Sequence, residues 1–390
     1  MTRGRPILAI PGPSTVPDRV LRAMHRAAEN IYEGPLIDLS HSLFPDLRRV
    51  AGQGEGEAFI YASNGHGVWE AALFNLFSPG DRLLVLESGR FAVGWGAMAA
   101  KMGVGVEVLN APARRGVDPQ AVEDRLRRDD AREIDAILVV QVDTASGVWN
   151  DVAAIRAALD AAGHPALLLV DCIACLGCIP FEMEAWGVDA MVTGSQKGLM
   201  TPPGLGIAFA GPRAMERHRR NGCLSSYWDW TPRADPERYY QIFCGTAPVQ
   251  LLYGLREALD MLAEEGLEAV FARHRRLAGA VRAAVGRWAE GGALAFAVED
   301  APARSDVVTT ILTEGGEADA IRARAEAEAE VTLGLGIGFG DGAAFRIGHM
   351  GHLNEPTVLG TLAAVEMALR AEGVAHGTGG VEAALDALGG

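Results

Sequence analysis

The chain has 390 residues, more than one hydrophobic core ordinarily supports, so two packed domains are expected. Hydrophobic residues make up 49% and charged residues 22%, and no run nears the roughly 20 consecutive apolar residues of a membrane span, which argues against a membrane role. The formal net charge is −15 and the basic residues are scattered, whereas nucleic-acid binding needs a basic footprint to neutralise phosphates.

In chain order, the first segment reads MTRGRPILAIPGPSTVP, where Pro6, Pro11 and Pro13 break any apolar run long enough for a signal-peptide core. Five cysteines, an odd number, then read as reduced thiols in a cytoplasmic protein. Between residues 60 and 210, FIYAS, DRLLVLES, GVEVLN, DAILVVQV, ALLLVD, DAMVTG and GIAFAG read as strands, separated by helical patterns such as Val68 to Phe77 and Asp151 to Ala162. Apolar strands alternating with helices imply an α/β domain whose mostly parallel sheet is covered on both faces. A long amphipathic pattern from Leu251 to Val285, with a break at Gly266, connects to short alternating segments (DVVTTILT, AFRIGH) and helices over Glu317 to Glu330 and Glu355 to Leu369. We divide the chain into a large domain, residues 1–255 with the N-terminal segment, and a small α+β domain, residues 256–390. The Gly-rich tail after Glu372 is expected to be loosely held.

In open α/β sheets, ligands sit beyond the carboxyl ends of the strands. There ALLLVD ends on Asp171, and DAMVTG is followed by Ser195, Gln196 and Lys197. A carboxylate that keeps a pyridine nitrogen protonated and a lysine that forms an imine are the two groups pyridoxal 5′-phosphate (PLP) chemistry requires. Taken alone, a helix-capping Asp and a solvated Lys explain the pair as well. The strand FIYAS also runs through Asn64-Gly65-His66-Gly67 into a helical pattern, so small residues let backbone N–H groups and the helix dipole meet an anion.

The stretch VDCIACLGCIPFEMEAWGVDAMVTGSQKGLMTPPGLG resembles the cofactor segment of class V aminotransferases of PLP fold type I, and is most similar to serine–glyoxylate and alanine–glyoxylate aminotransferases. IPGPSTVPDRVLRAM, SNGHGVWEAALFN, SPGDRLLVLESGRF, DTASGV, AGHPALLLVD, LLYGLREAL and FRIGHMGHLNE extend the similarity over nearly the whole chain. The resemblance implies a large domain with a mostly parallel seven-stranded sheet and a smaller C-terminal α+β domain. It implies PLP held by Lys197 as a Schiff base, Asp171 at the pyridine nitrogen, Asn64, Gly65 and His66 at the phosphate, and Phe91 stacked on the ring. Thr144 is implied beside the phenolic oxygen or the substrate, and Gln196 beside the phosphate. Thr246 would reach the neighbouring subunit's phosphate, so a homodimer with an interfacial active site is implied. Arg346 is implied to bind the substrate carboxylate, which suits a guanidinium fork; without the resemblance, a structural ion pair is its rival.

The implied reaction transfers an amino group from a small amino acid, serine or alanine favoured, to a 2-oxo acid, glyoxylate. Where the family carries D-H-R-S, this chain reads NIYEGPLID, so Tyr32 and Glu33 stand at positions that shape the substrate site, and Glu33 would disfavour a donor with a second carboxylate or attract a basic group. A different donor such as aspartate or pyridoxamine, or a desulfurase-like lyase, is the alternative. The lyase needs a nucleophilic cysteine in a small-domain loop, and every cysteine here precedes Leu251. A PLP-binding regulator would need an appended basic DNA-binding module, for which there is no segment.

Cys172, Cys175 and Cys178 mimic the start of an iron–sulfur spacing but lack a fourth cysteine nearby, and we read them as packing thiols. His41, His349 and His352 show no paired metal-ligand spacing, so no metal is expected. GLGIGFGDG, residues 334–342, is read as a loop at the mouth of the site, and Trp228 and Trp230 as lining its entrance or a subunit interface.

Overall fold

The computed structural model describes residues 4–223 and 225–389. Runs such as AILVV and LLLVD, buried at every position, cannot face water on either side and form the centre of a covered sheet. The first ten strands are β1 (Ile7–Ala9), β2 (Glu57–Ser63), β3 (Arg82–Glu87), β4 (Gly105–Asn110), β5 (Ala136–Val140), β6 (Val142–Asp143), β7 (Val148–Trp149), β8 (Leu167–Asp171), β9 (Ala190–Gly194) and β10 (Gly204–Ala210). Seven of them form one sheet in the order β2-β10-β9-β8-β5-β3-β4. Neighbours from β9 through β4 pair parallel, and β10 runs against both β9 and β2. This is the expected fold type I sheet. Separate apolar clusters pack on its two faces, one gathered around Leu43, Leu47 and Leu168 and the other around Trp69, Trp95 and Val85.

The last four strands, β11 (Leu294–Phe296), β12 (Val308–Thr313), β13 (Val331–Leu335) and β14 (Ala344–Gly348), build a second sheet in the order β1-β13-β14-β12-β11. The N-terminal segment, assigned by sequence to the large domain, thus gives its strand to the smaller sheet, with Ile7, Leu8 and Ala9 in parallel register with Val331, Thr332 and Leu333. Beyond β1 the same segment crosses to the large sheet, where the Ser14 amide donates to the Gln196 carbonyl at 2.9 Å. The amphipathic pattern after residue 248 is two helices, Val249–Glu265 and Leu267–Ala289, broken at Gly266 with φ 83°, a value that glycine adopts without a Cβ clash. The proposed boundary at residue 255 falls inside the first of them.

The tail is more ordered than its glycine content suggested. Residues Gly380–Gly389 form a helix packed on Leu267–Ala289. Val381, Ala384 and Leu388 recur at helical spacing on the apolar cluster of the small domain, and a Cβ at Gly380 would lie 2.0 Å from Trp288 Nε1. Among the described residues no helix is long and apolar enough to cross a membrane.

Candidate active site

β2, β8 and β9 share one direction, so their carboxyl ends open on one sheet edge. A cavity of about 290 Å³ lies there. Its wall includes Asn64, Gly65 and His66 from the turn after β2, Asp171 from the end of β8, and Gln196 and Lys197 from the turn after β9. Phe91 and Thr144 close it from the side, with Trp69 and the N-terminal Gly12. Eight residues singled out from sequence are therefore brought together.

Asp171 is 3% exposed. Its Oδ1 accepts from the Ile173 amide at 2.6 Å and its Oδ2 from Trp69 Nε1 at 2.8 Å. Burial raises its carboxyl to about 7, against those two donors, which favour the ionised form. Lys197 is drawn the other way: burial, aided by the Arg346 charge and opposed by Asp171, lowers its amine to about 8. An amine so placed has a far larger neutral fraction near neutral pH than an ordinary lysine, as a nucleophile and proton carrier needs.

The N-terminal segment seats this lysine. Nζ donates to the Pro11 carbonyl, and Ser14 Oγ donates to the Lys197 carbonyl at 2.7 Å. A Cβ at Gly12, where φ is 94°, would stand 2.1 Å from Nζ. A glycine set between two prolines was the available signal, read from sequence only as a break in an apolar run.

Asn64 caps the helix Gly65–Leu76, its side chain accepting from the Gly67 amide at 3.2 Å. The amides of Gly65 and His66 belong to the first turn and have no intrahelical acceptor. A Cβ at Gly65 would meet Ile173 at 2.7 Å, which explains glycine in so tight a turn. Gln196 Oε1 is buried without a hydrogen-bond partner among the described residues.

Two residues not foreseen from sequence organise the flank. Asp143, fully buried, accepts from the amides of Phe91 at 2.8 Å, Ala92 at 3.2 Å and Ala145 at 2.9 Å, tying the Phe91 helix start to the Thr144 loop. Trp69 stacks on Trp95 and holds Asp171. Both sat inside apolar or turn patterns, where periodicity alone assigns packing.

Arg346, on β14, lies outside the cavity wall but close enough for its charge to lower Lys197. Its Nε donates to the Leu335 carbonyl and its Nη1 to the Thr144 carbonyl at 2.8 Å. Among the described residues no carboxylate lies within ion-pair distance of it, so the structural ion pair is excluded. Burial lowers this guanidinium to about 10. A buried guanidinium held by carbonyls, with the Asp143 charge near it but outside ion-pair distance, has the chemistry to take a carboxylate.

Thr246, Tyr32 and Glu33 are exposed and line no part of the cavity. Asn30 orders the turn at residues 32 and 33, accepting from the Tyr32 amide at 2.9 Å and donating to Glu33 at 3.2 Å. Its base leans on the helix that follows Thr246: Arg26 lies 3.2 Å from the Tyr253 ring centroid, and Tyr253 donates to Glu29 at 2.9 Å. The two loops thus share one face.

The remaining motifs fall in packing roles. Cys172, Cys175 and Cys178 are buried free thiols, the first two donating to Gln141 Oε1 at 3.3 and 3.0 Å. His349 bonds Thr309 and the Asp306 carbonyl, and burial lowers it to about 3. His41 and His352 are exposed, the latter beside Leu353 in a separate surface pocket. Trp230 is not at an entrance: it is fully buried and stacks on Phe59 at 5.0 Å. Trp228 lies against Tyr61 and donates to Glu70 at 3.1 Å. From the 334–342 stretch, Leu335 ends β13, and Ile337, Gly338 and Phe339 border a second cleft beside Arg90.

A model of the family described as Aminotransferase class-V matches residues 48–335. The chain belongs to the class V aminotransferases. It is 41% identical to the serine–glyoxylate aminotransferase of Methylorubrum extorquens, over 95% of this chain and 92% of that protein. It is 36% identical to the L-aspartate–glyoxylate aminotransferase of Paracoccus denitrificans, with 95% and 92% coverage. The ureidoglycine–glyoxylate aminotransferase structure from Bacillus subtilis superposes with a TM-score of 0.90 at 25% identity, covering 100% of both chains. Membership makes this aminotransferase a PLP-dependent enzyme. The cavity fits that cofactor: the first-turn amides at Gly65 and His66 have no intrahelical acceptor and can donate to an anion, and a buried acid and a partly buried amine line the same cavity.

Proposed function

We propose that the protein transfers the amino group of a small amino acid, serine or alanine, to glyoxylate. The observation that carries this reading is Arg346, a buried guanidinium with no carboxylate of its own, beside the Asp171–Lys197 pair. In this reading the turn at Asn64, Gly65 and His66, with Gln196, holds the cofactor phosphate, Phe91 covers the ring, Thr144 lies at its phenolic oxygen or the substrate, and Asp171 faces the pyridine nitrogen. Bound PLP supplies an electron sink that weakens the Cα–H bond of an amino acid. The chain's own residues do the rest. Arg346 takes the substrate carboxylate and so fixes where Cα points. Lys197, neutral in part near pH 8, would take the Cα proton as a base and, once protonated, give it back as an acid. Asp143 keeps Phe91 and Thr144 in mutual register.

Glyoxylate is supported by the relatives named for it, and a one-carboxylate donor by Glu33, whose charge disfavours a second carboxylate. Thr246, Tyr32 and Glu33 contribute in this reading across a homodimer. The shared face of their loops, together with the exposed rings of Tyr32, Tyr227 and Tyr240, supports such an interface. A cytoplasmic location is inferred from the free thiols. Assaying glyoxylate-dependent consumption of serine, alanine and aspartate tests the reading: preferred turnover of serine or alanine is expected, and absence of glyoxylate-dependent turnover with any donor overturns it.

A further inference from the structure

Asp171 has two hydrogen-bond donors among the described residues, one on each carboxylate oxygen. The Ile173 amide is a backbone group two residues away and would be present with many side chains nearby. The other is an indole N–H, 102 residues distant in sequence, at 2.8 Å. That indole has no freedom to turn. Trp69 is 2% exposed, stacks on Trp95 with ring centroids 6.0 Å apart and an interplanar angle of 16°, and receives His66 at 4.7 Å and the edge of Phe91 at 6.4 Å. One rigid side chain therefore touches the anion turn through His66, the ring cover through Phe91 and the acid through its N–H.

We propose that Trp69 is a positioning residue: its N–H locks the plane of the Asp171 carboxylate and holds it ionised, facing the cavity. Physical chemistry requires some such donor. A carboxylate removed from water survives as an anion only if its oxygens receive hydrogen bonds. The charged groups acting on Asp171 oppose one another: Asp143 disfavours the anion and Lys197 favours it. Trp95 supplies an internal comparison. It presents the same ring, equally buried, yet its Nε1 has no partner among the described residues, so packing and hydrogen bonding are separable at these two indoles.

The inference rests on PLP lying at Asp171 and is tested without relying on turnover. PLP binding to the apoenzyme is titrated at pH 8 in wild type, Trp69→Phe, Asp171→Asn and the double variant. Removing one hydrogen bond to a charged group is expected to weaken binding about tenfold in Trp69→Phe. It should cost under about twofold when Asp171 is already Asn, because the effect runs through that carboxylate. Trp95→Phe should bind within about twofold of wild type. Equal losses from Trp69→Phe in both backgrounds, or a matching loss in Trp95→Phe, would reduce Trp69 to packing. Because Trp69→Phe removes core volume, a second measurement leaves Trp69 intact: in ¹⁵N-tryptophan-labelled apoenzyme, one of the seven indole resonances should titrate near neutral pH and stop titrating in Asp171→Asn. Seven pH-invariant resonances overturn the proposal. Failure of every variant and of wild type to bind PLP would instead strike the cofactor assignment itself.

Discussion

The cavity floor and the rim loops at residues 32–33 and 246 are built under opposite constraints. On the floor and beside it, Asp171 and Arg346 are buried and Lys197 is partly buried, and each is held by at least one bond from a distant segment of the chain. On the rim, Tyr32 is 75% exposed, and the loops are anchored at their bases while their tips meet only solvent. The difference separates reaction from choice. A floor residue acts on atoms every amino acid shares, so its loss should strike all donors alike. A rim residue meets only what another molecule presents, so its loss should reorder donors.

The hardest break is at Lys197. Lys197→Ala should lower turnover by ~10³-fold or more with serine, alanine and aspartate equally, since nucleophile and proton carrier are lost together. Stopped-flow or steady-state rates check this; a loss confined to one donor would move Lys197 out of the shared floor. Arg346→Ala comes next. Truncating one member of a buried charge pair leaves the other unpaired, so KM for both the amino acid and glyoxylate should rise about a hundredfold. Arg346→Lys should recover only part, because an ammonium lacks the fork. Unchanged KM for both substrates would break the carboxylate assignment.

How much of this was legible beforehand divides along the same line. β8 and β9 announced themselves as apolar runs, and the acid and lysine after them stood where parallel sheets place ligands. Residues with two simultaneous roles did not announce themselves. Trp69 fits the apolar face of a helix so well that its N–H went unread, and Asp143 looked like part of a turn. Gly12 and Pro11 lie 185 and 186 residues from the lysine they seat, a closeness that only the crossing of the N-terminal segment between two sheets creates. Periodicity reports which face a residue presents to its own element's neighbours, not which polar atom it lends to a distant one.

The floor also carries a stability cost that Asp171→Asn should expose. The folded carboxyl titrates at about 7, above the usual 3.8, so between those values the folded apoenzyme binds more protons than the unfolded chain. Apoenzyme stability therefore falls as pH rises through that window, and the burden is complete above pH 7. The shift corresponds to roughly 4 kcal/mol, of which Asn should recover about 2 kcal/mol, because it can accept from only one of the two donors. Urea unfolding should find the Asn apoenzyme more stable than wild type at pH 8, with the advantage gone near pH 4. A pH-independent difference would mean the carboxyl is not held in a raised state.

The smallest effect belongs to the rim and carries the most information about substrate. If Glu33 faces the donor across a subunit boundary, its charge acts through partly solvated space, where a pair several ångströms apart is worth on the order of 1 kcal/mol. Glu33→Gln should then raise kcat/KM for aspartate relative to serine by about two- to tenfold and leave the ratio of alanine to serine alone, since neither carries a second carboxylate. Because the charge is exposed, the aspartate penalty in wild type should shrink as salt shortens the Debye length from about 8 Å toward 3 Å. Arg346, shielded from solvent, should show far less salt dependence over the same range. An aspartate-to-serine ratio unmoved by both the substitution and salt would place donor choice on the floor after all, and would leave the 32–33 loop as interface alone.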